Sequence, residues 1–411
     1  MNCRHCYSPL VHTFLDLGFA PPSNAYLREA DLTQPELYYP LKVKVCTQCW
    51  LVQTEDYARA DELFSPDYAY FSSVSSSWLE HAKKYVQTII KRINLNKNSL
   101  VVEIASNDGY LLKNFVAAGI PCLGIEPTDS TATAAENQGI PVLREFFGER
   151  LGKRLAAEGR QADLIVGNNV YAHVPDINDF TLGLKAALKL NGIITLEFPH
   201  LMRLIEQTQF DTVYHEHFSY LSFYTANRIF EQVELRIFNV EELPTHGGSL
   251  RIYGCHKSDS RLMTAAVESL LVRESIFGLQ SLSIYQNFQS RVDSVKDELL
   301  LFLLGLKKKG KIIVAYGAAA KGSTLINYAG VKLDMIPMVC DAAPVKQGKF
   351  LPGSHIPIVK PDMLLEMKPD IVLVLPWNIA KEVAKQCSYI HDWGGQFVTV
   401  IPKIKIREER L

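Results

Sequence analysis

The stretch Ser99–Asp129, SLVVEIASNDGYLLKNFVAAGIPCLGIEPTD, has the pattern of a strand, a tight turn, a helix and a second strand. The apolar run Leu100–Ile104 is typical of a buried parallel strand. The residues SNDG that follow favour a turn, and Tyr110–Ala118 has apolar residues at helical spacing. Cys122–Ile125 is the next short apolar run. This order of elements predicts an α/β fold with parallel strands.

An acidic residue stands at the end of each of these two strands. Glu126 has the position at which dinucleotide-binding folds place the carboxylate that accepts ribose hydroxyls. Only Gly109 occupies the turn, so the pattern G-x-G-x-x-G is absent. S-adenosylmethionine (SAM) has no pyrophosphate and needs fewer glycines, so the pattern favours a Rossmann-like SAM site; another nucleotide or an ordinary βαβ unit are the alternatives. The expected cofactor contacts are Glu103, Ser106, Asn107, Asp108, Gly109 and Glu126.

The composition describes an ordinary globular chain of 411 residues with a formal net charge of −1 and 47% hydrophobic residues. This length predicts two or three domains. A net charge near zero provides no overall field to attract nucleic acid or a membrane surface. The sequence has no apolar run long enough to span a bilayer, and its start, MNCRHCYS, lacks the apolar region of a signal peptide. We expect a soluble, cytoplasmic protein without nucleic-acid or membrane partners.

Four of the eight cysteines form two C-x-x-C pairs near the N-terminus. Each pair can present two thiolates from one knuckle, and two knuckles complete a tetrahedral zinc site. Because four thiolates leave no open position for water, the zinc would be structural. A redox dithiol is the alternative, although it needs only one pair. The predicted zinc ligands are Cys3, Cys6, Cys46 and Cys49.

A polar segment rich in Tyr and Ser, Pro66–Trp78, precedes an amphipathic helix predicted at Leu79–Ile93. The segment is either a linker or a lid that brings a tyrosine hydroxyl to the site. Tyr68 and Tyr70 are the candidates for that hydroxyl.

Polar residues also follow a third strand, predicted at Asp163–Gly167. Ligands of open α/β sheets bind beyond the carboxyl ends of the strands. Asn168, Asn169 and His173 are therefore better placed to contact a ligand than random surface residues. Upstream, Phe147 belongs to an aromatic pair that either walls an adenine or packs in the core.

The stretch DTVYHEHFSY, Asp211–Tyr220, concentrates titratable side chains. It is an unconvincing metal site, because H-E-x-x-H is absent and histidines at i and i+2 share a face only in a strand. An acid–base site fits better, since a histidine tuned by a neighbouring carboxylate is the usual proton acceptor. A polar loop with chance histidines is the alternative. The candidates are Tyr214, His215, Glu216 and His217.

Two glycine-containing turns follow towards the C-terminus. In PTHGGSLR, the glycines free the backbone to approach a ligand, and the arginine could meet an anion. The second, GAAAKGST, leads from a strand into a helix and could cradle a phosphate, although it is not a true P-loop; a non-binding Rossmann-like domain is the alternative. The next strand ends in an acid at the ribose position. The expected substrate contacts are His246, Gly247, Ser249, Arg251, Gly317, Lys321, Gly322, Ser323, Thr324 and Asp341.

Five motifs occur in order along the whole chain: the four cysteines, EIASNDG, YHEHFSY, HGGSLR and YGAAAKGSTLIN. With them the chain resembles the SAM-dependent sugar C-methyltransferases of deoxysugar biosynthesis, which act on nucleotide-linked 4-keto sugars. The resemblance implies that the central unit holds SAM and that the C-terminal unit helps to hold the nucleotide sugar, expected to be a dTDP sugar. It implies a catalytic histidine at His217, surrounded by Tyr214, Glu216 and His173. A lid tyrosine matches Tyr70, although Tyr68 also fits and is counted with the substrate contacts.

The chemistry that fits these residues is base-catalysed. A ketone at C4 of the sugar acidifies the C3 proton, which His217, oriented by Glu216, would remove. Tyr214, Tyr70 or His173 would then donate a hydrogen bond to the enolate oxygen. C3 is the expected site of methylation, and C5 stays open because it also adjoins the ketone. An NAD-dependent oxidoreductase acting on a nucleotide sugar and a non-catalytic zinc-containing binding protein are the rival functions.

Together these predictions divide the chain into three domains. Residues 1–75 would form the zinc-binding domain and the lid, residues 76–250 the SAM-binding methyltransferase domain, and residues 251–411 a second Rossmann-like domain that binds the nucleotide sugar. Either a monomer or a homodimer is compatible with the sequence.

Overall fold

The computed structural model describes residues 1–55 and 71–407 and contains three β-sheets. Strands alternate with helices along most of the chain, so the predicted α/β class is confirmed. Tyr68 and Tyr70, predicted to supply the lid hydroxyl, lie outside the described residues.

The first sheet has four strands in the order β1-β2-β3-β9, and each is antiparallel to its neighbours. Three come from the N-terminal segment: β1 (His12–Ala20), β2 (Tyr39–Val45) and β3 (Val52–Thr54). The fourth, β9 (Ser219–Tyr220), ends the stretch YHEHFSY. The N-terminal sheet is therefore completed by the motif that was predicted to carry acid–base chemistry.

The second sheet has seven strands in the order β10-β11-β8-β7-β4-β5-β6. Among these seven strands β11 alone runs in the opposite direction, so it is antiparallel to both β10 and β8, and the other pairs are parallel. The chain order reverses at β4, which is the point where open α/β sheets form a ligand crevice. The strands are β4 (Val101–Ile104), β5 (Cys122–Ile125), β6 (Val142–Leu143), β7 (Ala162–Asn168), β8 (Leu188–Pro199), β10 (Leu235–Leu243) and β11 (Ser249–His256).

Helices pack on both faces of this sheet, because alternate residues of a strand point to opposite sides. Val101 and Leu164 belong to one buried cluster, whereas Val102 and Ile165 belong to another. The helices of this part are α1 (Ser76–Ile93), α2 (Leu112–Ala117), α3 (Asp129–Glu136), α4 (Glu149–Ala157), α5 (Ile177–Ala187), α6 (Leu201–Glu206), α7 (Phe223–Gln232) and α8 (Ala265–Phe277).

The third sheet has six strands in the order β14-β13-β12-β15-β16-β17, and all but β17 are parallel. Its strands are β12 (Ile313–Tyr316), β13 (Val339–Cys340), β14 (Ile358–Val359), β15 (Ile371–Val374), β16 (Gln396–Thr399) and β17 (Lys405–Arg407). The helices are α9 (Leu282–Gln286), α10 (Phe288–Lys308), α11 (Ala320–Ala329), α12 (Met363–Met367) and α13 (Ala380–Gln386). The second strand–turn–helix–strand unit predicted from the sequence is β12-α11-β13.

One apolar cluster joins the first sheet to the C-terminal part of the chain. Phe14 of β1 stacks on Phe288 of α10, with 4.6 Å between ring centroids. Trp50 stacks on Tyr285 at 6.0 Å. The same cluster contains Phe210, in the turn that leads to the stretch YHEHFSY. This packing holds that stretch between the first and third sheets.

The domain boundaries stay a prediction. Strand β11 crosses the boundary expected at residue 250 and keeps residues up to His256 in the second sheet. Within residues 1–55 and 71–407, none of the helices combines the length and the apolar character needed to cross a membrane.

Candidate active site

One cavity of about 1160 Å³ lies at the carboxyl ends of strands from the second and third sheets. Its wall includes the turns after β4 and β12, the loop after β7 and part of the segment 212–217. Residues 71–75 and helix α13 also line it. The structure thus brings most of the predicted motifs around a single space, although they are far apart in the sequence.

The turn after β4 is closed by Glu126. One oxygen of its carboxylate accepts a hydrogen bond from the backbone N–H of Asn107 (3.0 Å), and the other accepts from that of Thr128 (3.0 Å). Glu126 and Asn107 both line the cavity. The carboxylate at the predicted ribose position therefore faces the ligand space and is held in place by the backbone.

The other predicted cofactor contacts in this turn lie behind the cavity wall. Glu103 is fully buried in β4, and burial raises the pKa of its carboxyl well above the ordinary value. Gly109 has φ +78°, and a Cβ there would lie 2.4 Å from Cδ1 of Ile140. This glycine therefore serves the turn and its packing rather than the approach of a ligand. The residues that do not line the cavity are Glu103, Ser106, Asp108 and Gly109.

Of the predicted lid segment, the structure describes residues 71–78. This part is hydrogen-bonded to the turn after β4. The backbone N–H of Ser72 donates to Oδ1 of Asn107 (2.9 Å), and that of Ser73 donates to Oδ2 of Asp108 (3.1 Å). Further along, the segment also hydrogen bonds to α13. The side chains of Asn107 and Asp108 therefore bind the protein's own backbone across the cavity edge.

The far wall of the cavity is partly aromatic and partly amide. Phe147 packs edge-on against Phe180, with 5.3 Å between ring centroids. Nδ2 of Asn169 lies 3.1 Å from Nε2 of His246. Nδ2 of Asn168 is buried and has no hydrogen-bond partner among the described residues. All five side chains line the cavity, so they are placed to contact a ligand.

His217 lies in the cavity wall with a defined orientation. Its Nδ1 is 2.9 Å from the carbonyl oxygen of Thr212. Since a carbonyl can only accept, Nδ1 carries the proton and Nε2 has the lone pair. Burial, with the nearby His173 and Lys321 acting in the same direction, lowers the pKa of His217 well below its ordinary value. The imidazole is therefore neutral at neutral pH and can accept a proton at Nε2.

Two aromatic residues pack on this imidazole. The rings of Tyr214 and His217 have centroids 4.0 Å apart, and the ring of His173 is edge-on at 4.5 Å. Burial lowers the pKa of His173 to about 4, partly offset by a hydrogen bond to the backbone of Glu216. Both residues line the cavity, as predicted for neighbours of the histidine.

Two residues of the same motif point elsewhere. His215 does not line the cavity; its Nε2 is 3.4 Å from the carbonyl oxygen of Tyr39 in β2. Glu216 is buried and accepts a hydrogen bond from Asn24 (3.2 Å). The expected orientation of His217 by the Glu216 carboxylate is therefore wrong, because a backbone carbonyl occupies that position.

The turn after β12 repeats the geometry of the first. One oxygen of Asp341 accepts from the backbone N–H of Ala318 (2.7 Å), and the other accepts from that of Ala343 (2.8 Å). Asp341 and Gly317 line the same cavity. Two acid-closed turns, one from each large sheet, thus share one ligand space.

Two lysines contribute positive charge to this end of the cavity. Lys321 donates to Oδ1 of Asn378 (2.8 Å) and lies over the ring of Trp377, 4.6 Å from its centroid. Burial lowers the pKa of Lys321, and the nearby Asp211 acts in the opposite direction. Lys346 donates to the carbonyl oxygen of Ala318 (2.8 Å). Cations next to a helix N-terminus are well placed to meet a phosphate.

Three predicted substrate contacts in this turn face the protein interior. Thr324 donates to the carbonyl oxygen of Val213 (2.8 Å), and Ser323 is buried. A Cβ on Gly322 would lie 2.8 Å from Leu375, so this glycine allows α11 to pack on the chain after β15. Gly322, Ser323 and Thr324 therefore support the turn from behind and do not line the cavity.

The HGGSLR stretch is also mostly structural. A Cβ on Gly247, which has φ +86°, would lie 2.2 Å from the ring of Trp377. Ser249 is buried and bonds to the backbone of its own turn. Arg251 is ion-paired to buried Glu197 at 2.7 Å, so its charge is not available to a substrate anion. Of the four predicted contacts here, only His246 lines the cavity.

Comparison with known proteins identifies the family of this chain. A family described as a zinc binding domain matches residues 3–64, a methyltransferase domain matches 78–240, and a C-methyltransferase C-terminal domain matches 244–402. The C-methyltransferase NovU of Streptomyces niveus is 32% identical over 405 residues, which cover 98% of this chain and 96% of that protein. The chain belongs to the SAM-dependent C-methyltransferase family. The predicted family and enzyme class are confirmed.

Solved structures of other methyltransferases share less with this C-methyltransferase. The magnesium protoporphyrin IX methyltransferase ChlM of Synechocystis PCC 6803 is 14% identical, with a TM-score of 0.35, over 43% of this chain and 82% of that one. A SAM-dependent methyltransferase of Clostridium acetobutylicum is 10% identical, with a TM-score of 0.35, over 43% of this chain and 92% of that one. The family assignment rests on the family models and on NovU.

The N-terminal cysteines of the C-methyltransferase fit a closed zinc site. Their four sulfur atoms lie within 4.8 Å of one another, and two of the pairs are 3.4 and 3.5 Å apart. Zinc–sulfur bonds of about 2.3 Å put tetrahedral sulfurs roughly 3.8 Å apart. The ligand set is Cys3, Cys6, Cys46 and Cys49. SAM and a structural zinc ion are the confirmed cofactors.

The sequence analysis missed several residues that line the cavity of the C-methyltransferase. Trp78 stacks on His81 at 4.9 Å, and both line the cavity near the first turn. Lys346 lies in the loop that follows Asp341, the second acid at a ribose position. A lysine in such a loop could have been predicted from the sequence as a phosphate contact. Thr212 acts through its backbone carbonyl, for which the sequence carries no signal.

Proposed function

We propose that this C-methyltransferase methylates a nucleotide-linked 4-keto deoxysugar, expected to be a dTDP sugar, at C3. The observation that carries the proposal is the single cavity shared by two acid-closed turns and the neutral imidazole of His217. One turn suits the nucleoside of SAM and the other suits the nucleotide of the sugar. The sugar itself would then lie between them, against His217.

The first turn is the proposed cofactor side. Glu126 would accept the ribose hydroxyls of SAM, because both carboxylate oxygens keep a second lone pair after binding the backbone. Phe147 would pack against the adenine. Asn107, Asn168 and Asn169 would supply polar contacts from the rim of the cavity. When bound, SAM supplies the electrophilic methyl group of its sulfonium.

The second turn is the proposed nucleotide-sugar side. Lys321 and Lys346 would pair with the diphosphate, since both lie on the cavity wall beside the N-terminus of α11. Asp341 would accept the pentose hydroxyl. A deoxyribose leaves only the 3′-hydroxyl for it. His246, which also lines the wall, would contact the sugar.

The proposed chemistry starts with proton transfer to His217. The C4 ketone acidifies the C3 proton, which moves to Nε2 while the C–H electrons form the enolate. Tyr214 would donate a hydrogen bond to the enolate oxygen, and Tyr70, outside the described residues, remains the proposed second donor. The neutral ring of His173 has one N–H, which is bonded to the backbone of Glu216, so His173 would donate to the enolate oxygen only after leaving that bond. The enolate carbon would then accept the methyl group that bound SAM supplies, with the carbon–sulfur electrons staying on sulfur, and His217 would release its proton to solvent.

The test is turnover with defined sugars. Purified protein is incubated with SAM and a panel of nucleotide 4-keto deoxysugars, with the corresponding C4 alcohols as controls. We expect a product one methyl group heavier from the ketones alone, with the new carbon–carbon bond at C3 by NMR. Methylation at C5 would change the assigned position. Equal turnover of the alcohols, or methylation at oxygen, would contradict the enolate mechanism.

A further inference from the structure

An arginine stands inside the first zinc knuckle. Arg4 lies between the ligands Cys3 and Cys6 and is largely buried. Its guanidinium donates to the carbonyl oxygen of Pro175 through Nη1 (2.9 Å) and to that of Thr54 through Nη2 (3.1 Å). One side chain of the zinc domain therefore holds two backbone segments that come from different parts of the chain.

Each of these segments leads to one histidine of the candidate active site. Pro175 follows His173 closely in the chain and lines the cavity itself. Thr54 is bonded to the other histidine's segment: its backbone N–H donates to the carbonyl oxygen of Phe218 (3.2 Å), and its hydroxyl donates to that of His217 (3.3 Å). The path from Arg4 to His173 is thus one hydrogen bond and a short length of backbone, and the path to His217 is two hydrogen bonds through Thr54.

Packing fixes the same arrangement from a second side. The guanidinium carbon of Arg4 lies 5.3 Å from the centroid of the Phe218 ring. The backbone N–H of Arg4 donates to Oε1 of Gln53 (2.9 Å), and Gln53 pairs with Ser219 where β3 meets β9. The first zinc knuckle is therefore joined to β9, the strand that ends the stretch YHEHFSY.

We propose that Arg4 is a positioning residue through which the zinc knuckle sets the placement of His173 relative to His217. Zinc fixes Cys3 and Cys6, and thereby fixes the backbone of Arg4 between them. The planar guanidinium offers two donors in a rigid fork, so it can hold two carbonyls at once, whereas a lysine ammonium has no such fork. The catalytic consequence rests on the proposed function of His217; the geometric consequence does not.

The chain offers a matched control on the other knuckle. Arg228 donates to the carbonyl oxygen of Gln48 (2.9 Å), which lies between Cys46 and Cys49. Arg228 thus contacts the zinc domain in the same manner, but it does not bond to Thr54 or Pro175. The variants to compare are Arg4→Met, Arg4→Lys and Arg228→Met.

Zinc content by elemental analysis and SAM affinity by calorimetry are measured first, and we expect both to stay near wild type in all three variants. Side-chain NMR with labelled histidine is the readout that does not depend on activity. We expect Arg4→Met to shift the ring signals of both His173 and His217, and Arg228→Met to shift neither. Unshifted rings in zinc-loaded Arg4→Met would overturn the proposal, whether or not His217 is the base.

Turnover then tests the catalytic consequence. We expect kcat to fall about tenfold to 100-fold in Arg4→Met, as for a small misplacement of a catalytic group, with an intermediate loss in Arg4→Lys and none in Arg228→Met. If Arg4→Met does not accumulate as folded protein, Arg4→Lys decides, and wild-type ring signals and kcat there would overturn the fork argument. Ring shifts without a change in kcat would keep the positioning role and instead contradict His217 as the base.

Discussion

At the end of β5, the carboxylate of Glu126 is already bonded to the backbone N–H of Asn107 and Thr128, and it still faces the cavity. We expect Glu126→Ala to weaken SAM binding by about 1.5–3 kcal/mol, the range for a lost hydrogen-bond partner that carries charge. Titration calorimetry measures this directly. Glu136→Ala is the control, because Glu136 lies in the adjacent α3 and makes only a surface ion pair with Arg144. Unchanged SAM affinity in Glu126→Ala would refute the ribose contact.

The imidazole of His217 is the proposed base because it is neutral, oriented and open to the cavity at Nε2. We expect His217→Asn to lower kcat by about 10²–10⁴, the usual contribution of a general base, while SAM affinity stays unchanged. His215→Asn should have little effect on turnover, since His215 lies outside the cavity. Deuterium exchange at the carbon next to the ketone, measured with enzyme and sugar in D₂O without SAM, reports the base alone, because no methyl transfer follows. Exchange lost in His215→Asn but kept in His217→Asn would move the role to His215.

The low pKa of His217 sets the direction of the pH dependence. The base acts only when unprotonated, and burial keeps its folded pKa below the ordinary 6.5. The rate should therefore be level around neutral pH and fall only as the pH drops through that lowered pKa. The measurement is kcat/KM for the sugar against pH. An acidic limb with its midpoint at or above pH 6.5 would contradict a buried, neutral imidazole as the base.

At the residue scale, the sequence predicted which side chains lie in the site better than it predicted their hydrogen-bond partners. His217, Tyr214 and His173 meet in space as the family resemblance implied, whereas the sequence pattern alone placed only His173 beyond a strand end. The predicted hydrogen-bond partner of His217 Nδ1 was wrong: the backbone carbonyl of Thr212 takes the place expected for the Glu216 carboxylate. Any residue can supply a backbone carbonyl, so side-chain chemistry carries no signal for it.

At the scale of elements, the two strand–turn–helix–strand units carry acids with the same backbone bonds but different charge nearby. Lys321 lies only on the second, at the start of α11. We expect Lys321→Ala to raise KM for the nucleotide sugar several-fold and to leave SAM affinity unchanged, because phosphate is held mainly by charge. Steady-state kinetics measure KM for the nucleotide sugar, and calorimetry measures SAM affinity. Lys153→Ala, at an exposed ion pair on α4, is the control. An effect confined to SAM would mean that the two units have exchanged roles.

The same scale shows which pattern arguments fail. Glycines in a turn predict close approach, but they do not say what approaches. At Gly247 the neighbour is the ring of Trp377, and at Gly109 it is Ile140, so both glycines serve packing. From the sequence, Arg251 was predicted to meet a substrate anion, but in the structure it forms an ion pair with buried Glu197 of β8. Each error comes from a partner distant in the sequence, whereas the strand and helix patterns are local.

At the scale of the whole molecule, the first sheet is the element that ties the domains together. Strand β3 pairs with β9 next to His217, and β1 packs on α10 of the C-terminal part. The sequence predicted the four-cysteine module and its zinc from local spacing. It could not predict that the module completes its sheet with a strand from residues 219–220, because that pairing closes a long loop of chain.

Zinc should therefore stabilise more of the molecule than its own knuckles. We expect Cys46→Ser to lose zinc and to unfold at a lower temperature, because the site's binding energy contributes to folding. Elemental analysis and calorimetric melting measure both quantities. Cys255→Ser is the matched control: it makes the same substitution at a buried cysteine of β11 outside the zinc site, so its melting shift reports the substitution alone. Full zinc content and a wild-type melting temperature in Cys46→Ser would contradict the four-thiolate site, whereas an equal shift in both variants would reduce the role of zinc to that of any buried thiol.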